Sequence, residues 1–434
     1  MEWVILGFVA VMGIIMIGVP VAMAFGLLAL YFIVLFSADP AYLLPTCFIK
    51  IRSVVLLSVP LFILFGMILD SSGLARRLID FVDSMIGHIK GGLGAVTVVT
   101  TAMFSAISGT DSAAIACIGT VMIPRLVDHG YPRGLATALI ACSGILGQLV
   151  PPSVPMIFYA IITGNSIPAV WLATLGPAIL IVIMYSLLSA LAVRKLPIKT
   201  VPKPPNFSAY VSRISKSGLK ASPVLVIPLI ILGGIYGGLV TPTEAACVGV
   251  FYVLILAWGI YRVVGWSDIK NAIIQASIIS GVVIIMIFFT EISSKILIVE
   301  GVTEDLANFL VEISPNVYVI LFLLNIVLLI MGMMMNDLSG TVLAAGLLYP
   351  IAMKAGIHPL HFAAIVGVNL GLGTVTPPTA PMLFLAGRIG NCSAEEYLRP
   401  AMFLMWVGML PVLAVTTYWP SLCLFFPRLA GYVH

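Results

Sequence analysis

An internal repeat limits the fold of this sequence more than any other feature. Residues 111–165 align without a gap with residues 337–391, and "PPSVPMIFYAIITGN" in the first segment faces "PPTAPMLFLAGRIGN" in the second. Chance alignment of two apolar segments matches Gly and Ala easily, but it rarely matches a Pro-Pro, a third Pro and a Gly-Asn in one register. The self-similarity therefore predicts two copies of one structural unit.

The repeat also predicts the domain boundaries and the orientation of each half. Weaker similarity extends upstream, which gives a first repeat at 1–193, a linker at 194–223 and a second repeat at 224–434. The linker holds seven Lys and Arg residues and no acidic residue, so we expect it to be a cytoplasmic loop. The loop before residue 94 is also basic. Its counterpart in the second repeat holds several acidic residues and one basic residue, Lys295. Equivalent loops thus face opposite sides, the repeats are predicted to be inverted, and both termini are predicted to be periplasmic.

Composition assigns the chain to the lipid bilayer. Hydrophobic residues make up 61% and charged residues 9%, whereas soluble domains carry about 25% charged residues. Apolar runs of about 20 residues match the length of membrane-spanning helices. The net charge of +4 fits an excess of Lys and Arg in the loops that set the orientation in the membrane. No nucleic-acid partner is expected. The predicted fold is an all-α membrane protein with about ten crossings, at 4–19, 21–36, 54–70, 135–163, 169–193, 224–240, 246–261, 272–294, 360–387 and 400–427.

Two further apolar segments, 94–127 and 317–353, are each interrupted near the centre by a polar cluster. Each is flanked by loops predicted to lie on the same side, so each must enter and leave on one side as a re-entrant helical hairpin. Non-helical backbone is tolerated at membrane depth only where it is buried in protein or lines a cavity. The crossings at 135–163 and 360–387 are interrupted as well, by Gly and Pro.

Paired broken helices in inverted repeats are typical of secondary transporters, whose binding sites lie at the breaks. Pro and Gly expose backbone carbonyls there, and Ser, Thr and Asn add neutral oxygens. An intramembrane carboxylate is costly and marks a functional site. Such oxygens suit a small hard cation such as Na⁺, and the scattered Cys and His residues predict no transition metal. The candidate sodium ligands are Ser108, Gly109, Thr110, Asp111, Gly147, Pro151, Ser153, Asn336, Asp337, Gly340, Gly373, Thr376 and Thr379.

The same breaks predict contacts to an anionic substrate. The half-helix that begins after each hairpin tip directs its positive end inward, where an anion is stabilised. The candidate substrate-binding residues are Ser108, Gly109, Pro152, Ser339, Thr341 and Pro378.

Five stretches together resemble the large membrane subunit of tripartite ATP-independent periplasmic (TRAP) transporters over nearly the whole chain. They are "GLARRLIDFVDSMIGHIKGGLGAV", "FSAISGTDSAAIACIGT", "HGYPRGLATALIACSGILGQLVPPSVPMIFYA", "YGGLVTPTEAA" and "NLGLGTVTPPTAPMLF". The resemblance implies a Na⁺-coupled elevator transporter of the bacterial inner membrane, with a mobile transport domain that holds both hairpins and both broken helices. It also implies a four-helix small membrane subunit, a periplasmic substrate-binding protein and an organic-acid substrate, such as a C4-dicarboxylate or sialic acid.

The chain departs from this family pattern at both hairpin tips. The resemblance predicts Ser where this chain has Asp111. It also predicts a carboxylate at position 336, where this chain has Asn336 followed by Asp337.

Two other hypotheses fit parts of the sequence. A stand-alone Na⁺/dicarboxylate or citrate-type symporter shares inverted repeats and hairpins. An intramembrane enzyme could use Asp111 and Asp337 as a catalytic pair, although no further catalytic motif accompanies them.

Overall fold

The computed structural model describes residues 2–199, 205–302, 305, 316–377 and 379–433. Within these ranges every regular element is helical, which confirms the all-α prediction. Pro378, one of the candidate substrate contacts, lies outside the described residues.

The first half of the chain forms eleven helices within the described ranges. They are α1 (Glu2–Met16), α2 (Val21–Leu35), α3 (Pro40–Ile51), α4 (Ser58–Ser71), α5 (Ala75–Ile86), α6 (Gly92–Ser108), α7 (Asp111–Asp128), α8 (Arg133–Ser143), α9 (Leu146–Leu149), α10 (Val154–Thr163) and α11 (Ile167–Ala192). A 3-10 turn, Val54–Leu57, precedes α4.

The second half continues the numbering over its described part. Its helices are α12 (Phe207–Tyr236), α13 (Pro242–Leu254), α14 (Trp266–Val299), α15 (Val317–Met334), α16 (Asp337–Leu343), α17 (Tyr349–Lys354), α18 (Pro359–Val375), α19 (Pro381–Ile389), α20 (Ala394–Phe403), α21 (Leu410–Tyr418) and α22 (Pro420–Leu429). Short π-helical turns follow α13, α16 and α20, at Ile255–Ile260, Ala344–Leu348 and Leu404–Met409.

Eight helical stretches in the described ranges are long and apolar enough to cross a membrane. Seven of them overlap predicted crossings, and the eighth, α15, is the first arm of the predicted second hairpin. The predicted crossings 4–19 and 21–36 correspond to the shorter apolar helices α1 and α2, and 360–387 is divided between α18 and α19. The chain is thus a multi-pass membrane protein, and the number of ten crossings stays a prediction.

Two expectations about the connections were wrong. The linker 194–223 was expected to be a loop, but α12 already begins at Phe207, where Asn206 caps it by accepting a hydrogen bond from the Ala209 backbone N–H at 2.8 Å. Helix α5 was not predicted either. Both segments are amphipathic, with charged residues interleaved among apolar ones, so neither stands out as an apolar run.

The helices pack as two groups. One group contains α1–α4 and α12–α14, and the other contains α6–α11 and α15–α22. Helix α5 lies between them and packs against both α6 and α12, while α4 touches α6 and α14 touches α16. The second group holds the interrupted helices, and its stretch Arg133–Thr163 is the most buried of the eight long apolar stretches.

Ion pairs join α5 to both groups. The Asp83 carboxylate of α5 contacts Arg125 of α7 at 2.9 Å and Arg213 of α12 at 3.3 Å. Its side chain is only 8% exposed, whereas nearby Asp80 is 63% exposed and lies 3.9 Å from Arg125.

We predict that Asp83→Asn destabilises the protein by about 1.5–3 kcal/mol, the contribution of charge-assisted hydrogen bonds. Asp80→Asn is the matched control, because an exposed pair contributes about 0–1 kcal/mol. The melting temperature of the purified protein in detergent measures both. Equal effects of the two substitutions would contradict the assignment.

Candidate functional site

A two-residue turn forms the tip between α6 and α7. Helix α6 ends because Gly109 adopts a left-handed conformation, with φ of 68°, and the next helix begins at Asp111. The Gly109 carbonyl accepts a hydrogen bond from the Val154 backbone N–H at 3.0 Å. A Cβ atom at position 109 would collide with the Pro152 carbonyl oxygen. Both the conformation and the close approach therefore require glycine at this tip.

The first broken helix, α8–α10, packs its backbone closely against the same tip. A Cβ atom at Gly147 would collide with the peptide that joins Thr110 to Asp111, so only glycine allows α9 to approach so closely. Buried Pro151 and Pro152 follow in the break.

Ser153 is engaged within the break itself. Its hydroxyl donates to the Gln148 carbonyl at 2.6 Å and accepts from the Met156 backbone N–H at 3.4 Å, which caps α10. Its carbonyl accepts a hydrogen bond from Trp171 Nε1 at 3.0 Å. Ser153 therefore stabilises the geometry of the break, and its oxygens are already used in doing so.

The second tip is organised by a helix cap. The Asn336 side chain accepts a hydrogen bond from the Ser339 backbone N–H at 2.8 Å, so α16 begins at Asp337. Asn is a favoured capping residue. The Thr341 hydroxyl donates to the Asp337 carbonyl at 2.7 Å, and the Ser339 hydroxyl contacts the Met286 sulfur of α14 at 3.6 Å. Asn336 thus has a structural role here, and the carboxylate stands one residue later.

The two tips meet at their carboxyl groups. Asp111 and Asp337 each begin a half-helix, are 1% and 5% exposed, and their carboxyl groups are close enough to interact electrostatically. One Asp111 oxygen accepts from the Ser112 backbone N–H at 2.6 Å. Two carboxylates this close in a buried site cannot both carry their charge unless a proton or a cation compensates them.

Further polar side chains of the first tip and first break are buried without a hydrogen-bond partner among the described residues. They are the hydroxyls of Ser105, Ser108 and Ser143, the second carboxylate oxygen of Asp111 and the Gln148 amide. Buried polar atoms in proteins almost always have partners. Apart from the amide nitrogen these are oxygens, and a donor set of hydroxyl, amide and carboxylate oxygens fits a hard cation such as Na⁺.

The second broken helix, α18–α19, joins the site through close packing at two glycines. A Cβ atom at Gly371 would collide with the Gln148 amide, and one at Gly373 would lie 2.5 Å from the Gly332 Cα. The Thr376 hydroxyl donates to the Leu372 carbonyl at 2.6 Å.

The remaining candidates of the second repeat divide between packing and polar roles. Gly340 packs against the Leu370 side chain. The lack of a side chain at position 340 allows the two helices to pack closely. The Thr379 hydroxyl is buried and has no hydrogen-bond partner among the described residues.

The structure thus brings the first tip, the first break and Asp337 into one centre. Sequence reasoning did not select Gln148 or Ser105 as candidates. Gln148 lies inside the "GILGQLVPPS" break, and an amide side chain within an apolar segment that contains Gly and Pro was the available signal.

Comparison with known proteins identifies the family. Residues 8–422 match the family described as "Tripartite ATP-independent periplasmic transporter, DctM component". The chain belongs to this family. The resemblance drawn from the five sequence stretches is therefore confirmed, and transport is favoured over the catalytic-pair hypothesis.

Several curated TRAP permeases are about one-third identical to the chain. The isethionate TRAP transporter permease protein DctMQ of Oleidesulfovibrio alaskensis is 33% identical over 94% of this chain, which spans only 64% of that protein. The C4-dicarboxylate large permease DctM of Pseudomonas aeruginosa is 32% identical over 87% of each chain. The sialic acid large permease SiaM of Vibrio cholerae is 32% identical over 96% of this chain and 97% of its own length. These relatives are transporter permeases. As a member of their family, this chain is a transporter subunit rather than an enzyme.

A solved structure shares the fold at much lower sequence identity. The YdaH transporter of Alcanivorax borkumensis aligns with a TM-score of 0.60 and 15% identity over 88% of this chain and 89% of its own.

We predict that Gly109→Ala lowers the melting temperature far more than Gly164→Ala does. Both glycines have positive φ, 68° and 70°, so both substitutions introduce backbone strain of about 1 kcal/mol. Only position 109 faces a neighbouring carbonyl, since a Cβ at Gly164 meets open space. Thermal unfolding with size-exclusion analysis of the folded fraction measures the difference, and equal losses would show that the close approach is unimportant.

Proposed function

We propose that this TRAP permease carries out Na⁺-coupled uptake of a small organic anion, with Na⁺ held where the two hairpin tips meet. The contact between Asp111 and Asp337 carries the proposal. A buried carboxyl pair at the starts of two half-helices needs a compensating proton or cation. The pair lies where the breaks of both repeats converge, and the buried oxygens around it fit a cation.

The residues present fit Na⁺. Asp111 and Asp337 would supply negative charge, and the side chains of Ser108 and Gln148 would supply neutral oxygens together with the Thr110 carbonyl at the turn. Bound Na⁺ would offset the charge of the pair and leave the half-helix ends able to attract an anionic substrate. Cation and anion binding would then be coupled, because each stabilises the arrangement that the other requires.

The substrate class rests on the relatives. Their names specify isethionate, C4-dicarboxylates and sialic acid, which are all organic anions. We propose that this chain transports a small carboxylate or a related anion delivered by a periplasmic binding protein. A four-helix small membrane subunit would complete the complex in the bacterial inner membrane, with both termini of this chain in the periplasm.

The packing supports an elevator mechanism. The proposed re-entrant hairpins α6–α7 and α15–α17 and the broken helices α8–α10 and α18–α19 belong to one packed group. This group could move as a transport domain against a scaffold that contains α1–α4 and α12–α14. The contacts between α4 and α6 and between α14 and α16 would change during that movement.

The proposal is tested by uptake into proteoliposomes that contain the permease, its small subunit and its binding protein. Isethionate, succinate and sialic acid are offered with Na⁺ and proton gradients imposed separately. A Na⁺ gradient is expected to drive uptake and a proton gradient alone is not. Equal uptake of the transported anion without Na⁺ would overturn the proposed coupling.

We predict that Asp111→Asn and Asp337→Asn each lower Na⁺-driven uptake at least about tenfold, which corresponds to about 1.4 kcal/mol. Each substitution keeps the shape of the side chain and removes one charge that would bind the cation. Asp80→Asn is the control, because the Asp80 side chain on α5 is 63% exposed. Initial uptake rates at equal amounts of folded complex provide the measurement, and wild-type rates in both tip variants would contradict the site.

A further inference from the structure

Helix α14 carries two ionisable residues within its apolar stretch. Glu291 and Lys295 are one helical turn apart and therefore lie on one face. The Glu291 side chain is only 7% exposed. Lys295 was expected in the loop that follows this crossing, but α14 continues to Val299. Ionisable residues inside a membrane helix are expensive and mark functional sites.

These two side chains line a pocket of about 220 Å³. The pocket lies between α14, the end of α10 and the π-helical turn of the second hairpin. Ser294, Thr163 and Tyr349 add hydroxyl groups to its lining. The Ser294 hydroxyl donates to the Gly346 carbonyl at 2.8 Å, which fixes α14 against the hairpin.

The pocket lies between α14 and the second hairpin, the two elements that also touch near the carboxyl pair. Met286 of α14 contacts Ser339 at the second tip, and Lys295 follows nine residues later, roughly 13 Å along the helix. On the opposite wall, Gly346 follows Asp337 by the same number of residues. The pocket thus lies beyond the tip toward the end of α14 that precedes the acidic loop, which is the predicted periplasmic end.

The Lys295 ammonium group can take an external ligand. Its Nζ lies 6.0 Å from the centre of the Tyr42 ring, at the outer limit of a cation–π contact. An ammonium group in a partly apolar pocket attracts a carboxylate or a sulfonate. The Glu291 carboxylate accepts hydrogen bonds, so it favours a ligand that also carries a donor.

We propose that this pocket is an outer subsite for the transported anion, and that it selects a small carboxylate or sulfonate bearing a hydroxyl or amino group. Lys295 binds the anionic group and Glu291 accepts the hydrogen bond from the donor. The subsite holds the anion on its way to the hairpin tips, so the inference rests on the proposed function.

Cysteine protection tests this subsite without transport. Ile298 lines the pocket near the end of α14, and Ile298→Cys provides a reporter for the anionic reagent 2-sulfonatoethyl methanethiosulfonate. The labelling rate is measured for the permease with its small subunit in nanodiscs, and the parent chain gives the background of its native cysteines. The probes are isethionate and malate, which carry a hydroxyl, together with ethanesulfonate, which lacks one, and choline, which is a cation.

Isethionate, malate or both are expected to slow labelling at least threefold, and ethanesulfonate and choline are not. Protection by one of the two identifies the preferred anionic group. Protection should disappear in Lys295→Gln and persist in Lys295→Arg and in the control Lys270→Gln, which changes an exposed lysine on the same helix. Ile162→Cys is the second reporter if the first variant does not fold.

The inference is overturned if no probe protects, if choline protects equally, or if protection persists in Lys295→Gln. Labelling requires no sodium gradient and no binding protein. Its failure therefore leaves Na⁺-driven uptake standing, and a failure of Na⁺ coupling leaves the protection result unchanged.

Discussion

The contact between two buried carboxyl groups is the constraint on which the rest of the structure depends. Asp111 and Asp337 come from separate repeats and meet in an apolar interior. Charge in such a place is stable only when a proton or a cation compensates it, and the buried oxygens around the pair favour a cation. The surrounding sequence makes the approach geometrically feasible, since glycine stands at position 109 for the turn and at position 147 for the close backbone packing.

The first helix break is stable because its backbone groups have partners. The Leu149 carbonyl accepts a hydrogen bond from the Thr174 hydroxyl at 2.6 Å, and the Ser153 carbonyl accepts one from Trp171. Both donors lie on α11, which packs behind the break. The polar backbone at the front faces the hairpin tip. This division satisfies the rule that irregular backbone at membrane depth must be buried in protein or line a cavity.

Much of this arrangement follows from the sequence, because the repeat and the polar breaks mark the interrupted helices directly. Family membership was also predictable from the five matching stretches. The meeting of Asp111 with Asp337 was not, because it joins elements far apart in the chain and depends on packing. The capping role of Asn336 was not predicted, although Asn is a residue favoured at helix caps. Lys295 was misplaced because the predicted crossing 272–294 ends one residue before it, whereas α14 continues to Val299.

Equilibrium binding of Na⁺ to the permease tests the central claim most directly, and the shift in melting temperature between NaCl and choline chloride at equal ionic strength reports it. A ligand that binds only the folded state stabilises it by about 2.7 kcal/mol at one hundred times its dissociation constant. The account predicts a saturable stabilisation by Na⁺ that disappears in the double variant Asp111→Asn/Asp337→Asn. Identical melting in both salts, or an undiminished Na⁺ effect in the double variant, would contradict it.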